Sequence, residues 1–213
     1  MRNLILTALG ATALSAGLAS AQDVQQLDLT GFDRINAGGG YQLVVVVGEA
    51  WSVNLEGDAD DFDQIEASAD GDELVLRQRS RLFQRRRGLD LTVRVTLPAV
   101  EAVDFSRGIE GEVSGIAADT LFADISTGAA VTLSGTCGSL ELDISTGASL
   151  RARELECRSV EVDSSTGAAA RVFASEEGEA RASTGASVRI FGEPAHREAR
   201  YSMGGEVRFD TGN

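Results

Sequence analysis

The residues best suited to chemistry in this 213-residue chain are carboxylates that recur at regular spacing. The phrase DISTGA occupies residues 124–129 and again residues 143–148, and a near copy, DSSTGA, follows at residues 163–168. Asp104 precedes Gly108 by the same four residues. Two carboxyl groups about 5 Å apart could serve a retaining glycosidase, and aligned carboxylates could also coordinate Ca²⁺.

The spacing of these copies argues against both chemistries. Units of 18–20 residues leave no room for the long loops that would wall a substrate cleft. The calcium-binding pattern Gly-Gly-x-Gly-x-Asp is also missing from the repeat. The simpler interpretation is a solvated strand face whose aspartates and serines hydrogen-bond near the turns. We therefore predict no catalytic residue, no metal ligand and no cofactor.

A cluster of arginines is the most unusual local feature. Arginine forms bidentate hydrogen bonds with carboxylate and phosphate groups, so the cluster would suit anionic glycans, lipid phosphates or another polyanion. The alternative is a solvated hairpin tip that pairs with the protein's own acidic side chains. The cluster consists of Arg77, Arg79, Arg81, Arg85, Arg86 and Arg87.

A sixfold sequence repeat positions these side chains. Its glycines, called here the repeat glycines, lie 20, 19, 20, 18 and 19 residues apart, and a serine stands two residues before each. Odd offsets from the glycine are mostly small or apolar and even offsets polar, as in strands that bury one face. A unit this short cannot bury its apolar face alone, whereas stacked units can. The repeat glycines are Gly108, Gly128, Gly147, Gly167, Gly185 and Gly204.

The repeat predicts an all-β parallel solenoid of about six short coils, with neighbouring coils about 4.8 Å apart. Stacking would place acidic rows on one outward face and an arginine row on another. A β-sandwich would explain the alternation but not the constant register. The acidic rows are Asp104, Asp124, Asp143 and Asp163, continued by Arg181 and Arg200, and Glu141, Glu161, Glu179 and Glu198; the arginine row is Arg151, Arg171, Arg189 and Arg208.

The cysteines and the histidine can be placed in the same register. Cys137 and Cys157 each lie ten residues before a repeat glycine, and therefore at equivalent positions on neighbouring coils. Two interpretations stay open. One is a disulfide, which export would favour, and the other is a pair of small buried thiols. His196 is the single histidine and lies in the phrase GEPAHRE. We interpret it as a solvated turn residue rather than a catalytic base.

The first 21 residues are typical of a secretory signal peptide. Arg2 is followed by a short apolar stretch and by Ala-Ser-Ala at a cleavage site, so the mature chain would begin at Gln22. A membrane anchor is the rival interpretation, but the apolar part is short and contains Gly, Ser and Thr. We predict an exported protein, periplasmic or extracellular, with an N-terminal β-strand segment over residues 22–98 and repeat coils over 99–213.

Charge narrows the range of partners. Without residues 1–21 the chain carries 18 arginines against 33 acidic residues, a net charge of −15, and it has no lysine. Such a surface repels nucleic acid and anionic membranes over most of its area. We therefore predict no nucleic acid partner.

Three phrases in fixed order resemble a known family. They are FDRINAGGGYQLVVVVGEAWSVNLEGD at residues 32–58, LTVRVTLPAVEAVDFSRG at residues 91–108, and the STGA series. Together they resemble the bacterial putative auto-transporter adhesin, head GIN domain family over about residues 30–210. The resemblance implies an exported, right-handed, single-stranded parallel β-helix whose N-terminal segment forms less regular strands and hairpins. It offers no catalytic residues to carry over.

These observations favour an exported, non-catalytic binding or cell-envelope protein with an adhesin-like head. Anionic glycans or envelope components are the expected partners. Two alternatives stay open. One is a carbohydrate-active enzyme that uses the acidic row, and the other is a structural solenoid that self-associates through exposed coil edges.

Overall fold

The computed structural model describes residues 23–79 and 89–210. The predicted signal peptide and four arginines of the predicted cluster, Arg81, Arg85, Arg86 and Arg87, lie outside the described residues. Within the described ranges, β-strands form nearly all of the regular structure. No helix in this part of the chain is long and apolar enough to cross a membrane.

Fifteen strands and one short helix follow one another along the described residues. The N-terminal elements are β1 (Asp23–Leu27), β2 (Arg34–Gly38), β3 (Gln42–Val47), β4 (Ser52–Gly57), α1 (Ala59–Phe62), β5 (Ile65–Asp70), β6 (Glu73–Gln78) and β7 (Leu91–Leu97). The repeat forms β8 (Ala102–Ser106), β9 (Glu110–Ile125), β10 (Ala130–Ile144), β11 (Ser149–Ser164), β12 (Ala169–Ala182), β13 (Ser187–Phe191), β14 (His196–Tyr201) and β15 (Glu206–Asp210).

The repeat strands stack in parallel, in the register that the glycine spacing predicts. Leu121 is the register partner of Leu140, which in turn is the partner of Val160, and all three are buried in one continuous apolar core. The stack is a β-solenoid of about five turns, and the predicted fold class is confirmed. Tyr201 occupies an inward position of the repeat but is 68% exposed, because β14 has a single strand partner, β12, and lies at the end of the described stack.

Each coil turns at the Ser-Thr-Gly corner through two residues with positive φ. The threonines of the four STG copies have φ between 51° and 54°, and the glycines that follow them have φ between 71° and 75°. Two such residues in succession are typical of a type I′ turn. The Ala148 amide closes its turn on the Ser145 carbonyl at 3.1 Å, and the Gly128 amide donates to the Thr146 carbonyl of the next coil at 3.1 Å. The corners are therefore bonded to one another along the stack.

The N-terminal strands join the same stack, but out of chain order. β2 lies between β6 and β8, and β3 lies between β7 and β9. Because Gly38 pairs with Ser106, the three glycines at 38–40 form the corner that Ser106, Arg107 and Gly108 form in the next coil. Beyond the β6 and β7 coil, β5 pairs antiparallel with β6, β4 pairs antiparallel with β7, and β1 pairs with β4.

The coils differ slightly in length, and these differences are accommodated at a second corner, within β10 and β11. The register shifts there, between Thr132 and Ser134 in β10 and between Ala152 and Glu156 in β11. Shortly after the shift, Cys137 and Cys157 are register partners with their Cα atoms 4.5 Å apart, and their sulfurs form a disulfide. The bond links β10 to β11 in the middle of the repeat.

The strained threonine at each of the four STG corners should be replaceable with a gain in stability. A β-branched residue is unfavourable at positive φ, whereas asparagine adopts this region readily and is preferred in type I′ turns. Thr146→Asn should therefore raise the free energy of unfolding by up to about 1 kcal/mol. Thr136→Asn is the matched control, because Thr136 lies exposed within β10. If denaturant titration shows no gain for Thr146→Asn relative to that control, the corner is not strained.

Loss of the disulfide should destabilise the solenoid. It closes a segment with a sequence separation of 20 residues, for which chain entropy predicts a contribution of about 3 kcal/mol. The double variant Cys137→Ala, Cys157→Ala should unfold at lower denaturant concentration than the oxidised protein. A reducing agent should move the parent protein toward the variant and leave the variant unchanged. An equal midpoint for the oxidised parent and the variant would exclude a structural role for the bond.

Candidate functional site

The acidic row is assembled as the register requires. Asp104, Asp124, Asp143 and Asp163 are successive register partners on β8 to β11, and Arg181 on β12 takes the next position. The Arg181 guanidinium lies 3.0 Å from a Glu161 carboxylate oxygen and 3.3 Å from one of Asp163. The row thus changes from four stacked carboxylates to a cation that neutralises its last members.

Crowding within the row makes ionisation less favourable. The pKa of the Asp143 carboxyl is raised, mainly because its surroundings withdraw it from water. Repulsion from the neighbouring carboxylates Asp163, Asp124 and Glu161 raises this pKa further. The pKa of Asp104 is raised for the same two reasons, with Asp124 as its main repelling neighbour.

A shallow groove of about 600 Å³ follows the corner beside this row. Asp124, Asp143, Asp163, Arg181 and Arg200 lie along it, together with the corner serines. The loops between the repeat strands are only a few residues long, so in the described part of the chain no loop covers the groove. Neighbouring aspartates lie one strand spacing apart, about 4.8 Å, close to the carboxyl separation of about 5 Å in retaining enzymes, but the open groove differs from the enclosed clefts that usually hold a bound sugar.

The arginine row lies on the strands that follow the corner. Arg151, Arg171, Arg189 and Arg208 are successive register partners on β11, β12, β13 and β15. Two residues further along, Phe173 and Phe191 are also partners, and the Arg153 guanidinium lies 4.6 Å from the centre of the Phe191 ring. We call this surface the basic face; it consists of Arg151, Arg153, Arg171, Phe173, Arg189, Phe191 and Arg208.

Acidic side chains engage the basic face at one end. Arg189 lies 3.8 Å from an Asp210 carboxylate oxygen, and Arg208 forms an ion pair with Glu206. Among the described residues, no carboxylate forms an ion pair with Arg151 or Arg171. These two guanidinium groups can therefore bind an external anion without first breaking an internal pair.

The predicted arginine cluster begins at the first of these corners. Arg77 is exposed and pairs with Gly38 of the corner, while the Arg79 guanidinium lies 2.9 Å from a Glu66 carboxylate oxygen. The Leu89 amide returns to the same corner and donates to the Gly40 carbonyl at 2.8 Å. The connection between β6 and β7 thus starts and ends where the other coils have a tight turn.

Sequence reasoning missed one constellation, which surrounds His196. The imidazole Nε2 lies 3.7 Å from a carboxylate oxygen of Glu177 and 3.7 Å from one of Glu179. The repeat spacing could have indicated that Glu177 and His196 are neighbours. Glu177 stands eight residues before Gly185, and His196 stands eight residues before Gly204. Equal offsets make them neighbours, and β12 and β14 pair them.

Stacked coils with rows of like residues define this protein as a repeat β-solenoid, a class in which each repeat contacts its neighbours along a continuous stack. The chain belongs to the putative auto-transporter adhesin, head GIN domain family, whose model matches residues 31–194. The family resemblance of the sequence is thereby confirmed. No curated protein sequence matches the chain.

Several solved structures share the fold. A putative adhesin from Bacteroides fragilis NCTC 9343 is 15% identical, with a TM-score of 0.73 over 90% of this chain and 98% of its own. A putative adhesin from Parabacteroides distasonis ATCC 8503 is 11% identical, with a TM-score of 0.54 over 89% and 97%. A protein from the same strain described as a putative lipid binding protein is 10% identical, with a TM-score of 0.52 over 91% and 98%.

The raised pKa of Asp143 predicts a stabilising substitution. A carboxyl whose pKa is higher in the folded than in the unfolded state costs stability when ionised, and the cost disappears as the pH falls. Asp143→Asn should therefore raise the melting temperature at pH 7, and the gain should shrink toward pH values of about 4. Asp28→Asn, outside the row, is the control and should show no comparable gain. A lower melting temperature for Asp143→Asn at pH 7 would contradict a repulsive row.

Proposed function

We propose that the mature chain is an exported, non-catalytic, adhesin-like protein that binds anionic glycans or other anionic envelope components through its arginine side chains. Membership of the adhesin-head family supports a binding role. The signal-peptide pattern of residues 1–21 supports export. A structural relative described as a lipid binding protein is consistent with an envelope ligand.

The observation that carries this proposal is the basic face. Four arginines are register partners on neighbouring strands about 4.8 Å apart, and they form a row on a protein whose net charge is otherwise strongly negative. Each planar guanidinium can bind a carboxylate, sulfate or phosphate through two hydrogen bonds. A polymer that carries such groups at intervals can contact several arginines at once, and the ring of Phe173 offers apolar contact to a sugar ring.

The cluster at residues 77–87 is a second candidate contact for the same class of ligand. Its first member, Arg77, lies on β6, toward the opposite end of the stack from β15, which carries Arg208. Arg79 is already paired with Glu66, so the contribution of the cluster rests mainly on Arg85, Arg86 and Arg87. We propose these three as auxiliary anion contacts.

The carbohydrate-active enzyme remains a second candidate because of one observation. Asp143 combines a raised pKa, which suits a general acid, with aspartates as register neighbours on both sides. The strand spacing of about 4.8 Å is close to the carboxyl separation of about 5 Å in retaining enzymes. Hydrolysis of a polysaccharide that Asp143→Asn abolishes would favour this candidate over a binding protein.

The test of the leading proposal measures binding to polygalacturonate, dextran sulfate and phosphatidylglycerol vesicles, with neutral dextran as the reference. The parent protein should bind at least one anionic probe, more weakly at higher salt. The double variant Arg151→Gln, Arg171→Gln should lose at least about tenfold in affinity, because hydrogen bonds to charged groups are stronger than neutral ones. Absence of binding to every anionic probe by the parent would contradict the proposal.

Two further variants locate the contact. Arg94→Gln is the matched control, since Arg94 is an exposed arginine on β7 that already pairs with Glu56 at 3.0 Å and 3.1 Å. It should bind as the parent does. The triple variant Arg85→Ser, Arg86→Ser, Arg87→Ser should show a smaller, salt-sensitive loss. A large loss in this triple variant with none in the double variant would move the contact from the basic face to the cluster.

A further inference from the structure

The constellation around His196 combines ligand types that the other polar rows lack. Glu177 and Glu179 lie two residues apart on β12 and therefore point to the same face of the strand. His196 on β14 is the direct register partner of Glu177. The closest oxygens of the two glutamates and the imidazole nitrogen all lie within 4.8 Å of one another, and all three side chains reach the solvent.

We propose that Glu177, Glu179 and His196 form a binding site for a divalent transition-metal ion such as Zn²⁺. Zinc binds imidazole nitrogen and carboxylate oxygen at about 2.0–2.2 Å. Two atoms on opposite sides of such an ion are separated by at most about 4 Å. The two Nε2–oxygen distances of 3.7 Å already lie within that limit.

The donor set selects the class of metal. Calcium and magnesium prefer oxygen ligands, which all other acidic rows of this protein could offer equally well. An imidazole nitrogen with two carboxylates instead suits zinc and its neighbours in the first transition series. Three protein ligands would leave a coordination position for water or for a ligand group.

Few other side chains of the protein are suitable ligands for such an ion. His196 is the only histidine of the whole sequence, and both cysteines are engaged in the disulfide. Within the described residues, this is the one group of three potential metal ligands that are mutually close. Tight zinc binding by the described residues would therefore report on this site.

Some neighbouring charges favour a bound cation at this site, and one opposes it. Glu177 and His196 border a shallow groove of about 540 Å³ that Asp119, Arg158 and Glu176 also line. The carboxylates of Asp119 and Glu176 favour a cation there, while the guanidinium of Arg158 opposes it. Arg158→Gln should therefore bind zinc at least as tightly as the parent.

Occupancy of the site would also affect the end of the solenoid. β14 belongs to the last coil and has β12 as its strand partner in the described stack. An ion held by Glu177 and Glu179 on β12 and by His196 on β14 would tie that coil to the coil before it. Because the ion would bind only the folded arrangement, zinc should raise the melting temperature.

The experiment uses mature protein without a polyhistidine tag and titrates ZnCl₂ by calorimetry. The parent should bind one equivalent, and its melting temperature should rise with Zn²⁺ more than with Mg²⁺ or Ca²⁺. His196→Ala should lose at least about tenfold in affinity, since even the loss of a residue that merely supports a ligand costs 10–100-fold. Glu177→Gln and Glu179→Gln should each weaken binding.

Glu176→Gln is the matched control, because it removes an adjacent charge in the same groove but no proposed ligand; its loss of zinc affinity should be much smaller than that of Glu177→Gln or His196→Ala. The single imidazole allows a direct reading by NMR, in which the ring signals of His196 should shift on addition of Zn²⁺. Failure of the parent to bind zinc would overturn the proposal and leave an ordinary ion pair. Equal affinities of the parent and His196→Ala would overturn it as well. Neither outcome bears on polyanion binding by the basic face.

Discussion

Each coil of the repeat reverses direction through a turn in which two successive residues have positive φ, and the stacking register depends on this turn. Glycine adopts such a conformation without cost, while the threonine before it does so under strain. The corner amides and carbonyls also bond to the corners above and below, so the Gly128 amide meets the Thr146 carbonyl and the Gly147 amide meets that of Thr166. A corner of constant shape brings the strands on both sides into the same register in every coil.

Constant register has an electrostatic consequence. Residues at one offset from the glycine become neighbours about 4.8 Å apart, so any charge that the repeat duplicates is placed beside its own kind. The acidic row shows part of this cost: withdrawal from water raises the pKa of Asp143 most, and repulsion from Asp163, Asp124 and Glu161 raises it further. Position 181, where the earlier repeats have aspartate, is an arginine. The Arg181 guanidinium binds both Glu161 and Asp163, which limits that cost. The basic face has the same geometry with the opposite charge, and Asp210 and Glu206 lie at its end.

The same geometry leaves the polar rows on open, outward faces of the coils. The apolar core occupies the interior of the coils, and the short corner loops build no deep cleft in the described residues. The exposed polar chemistry of the described coils is therefore set by the identity of the rows. The acidic row, the basic face and the His196 constellation lie on one continuous solenoid. Backbone pairing holds the strands that carry them in place, on two sides for most strands and on one side for β14.

The sequence by itself determined the solenoid and the composition of its rows. The interval between repeat glycines, the serine two residues before each and the alternation around them place Asp124 beside Asp143 and Arg151 beside Arg171, because parallel pairing preserves offsets. The equal offsets of Cys137 and Cys157 made them neighbours for the same reason.

Only the tertiary structure decided how the N-terminal strands enter the stack and which side chains meet. β2 and β3 lie between the coil of β6 and β7 and the coil of β8 and β9. No local sequence pattern indicates this position, because pairing between strands that are not consecutive depends on which strand edges are still unpaired when the chain returns. The meeting of His196 with both Glu177 and Glu179 likewise required the path of the short loop at residues 192–195, because an offset gives the strand partner but not the reach of a side chain. Side-chain contacts depend on distances of a few ångströms between strands far apart in sequence, and these distances are set by packing.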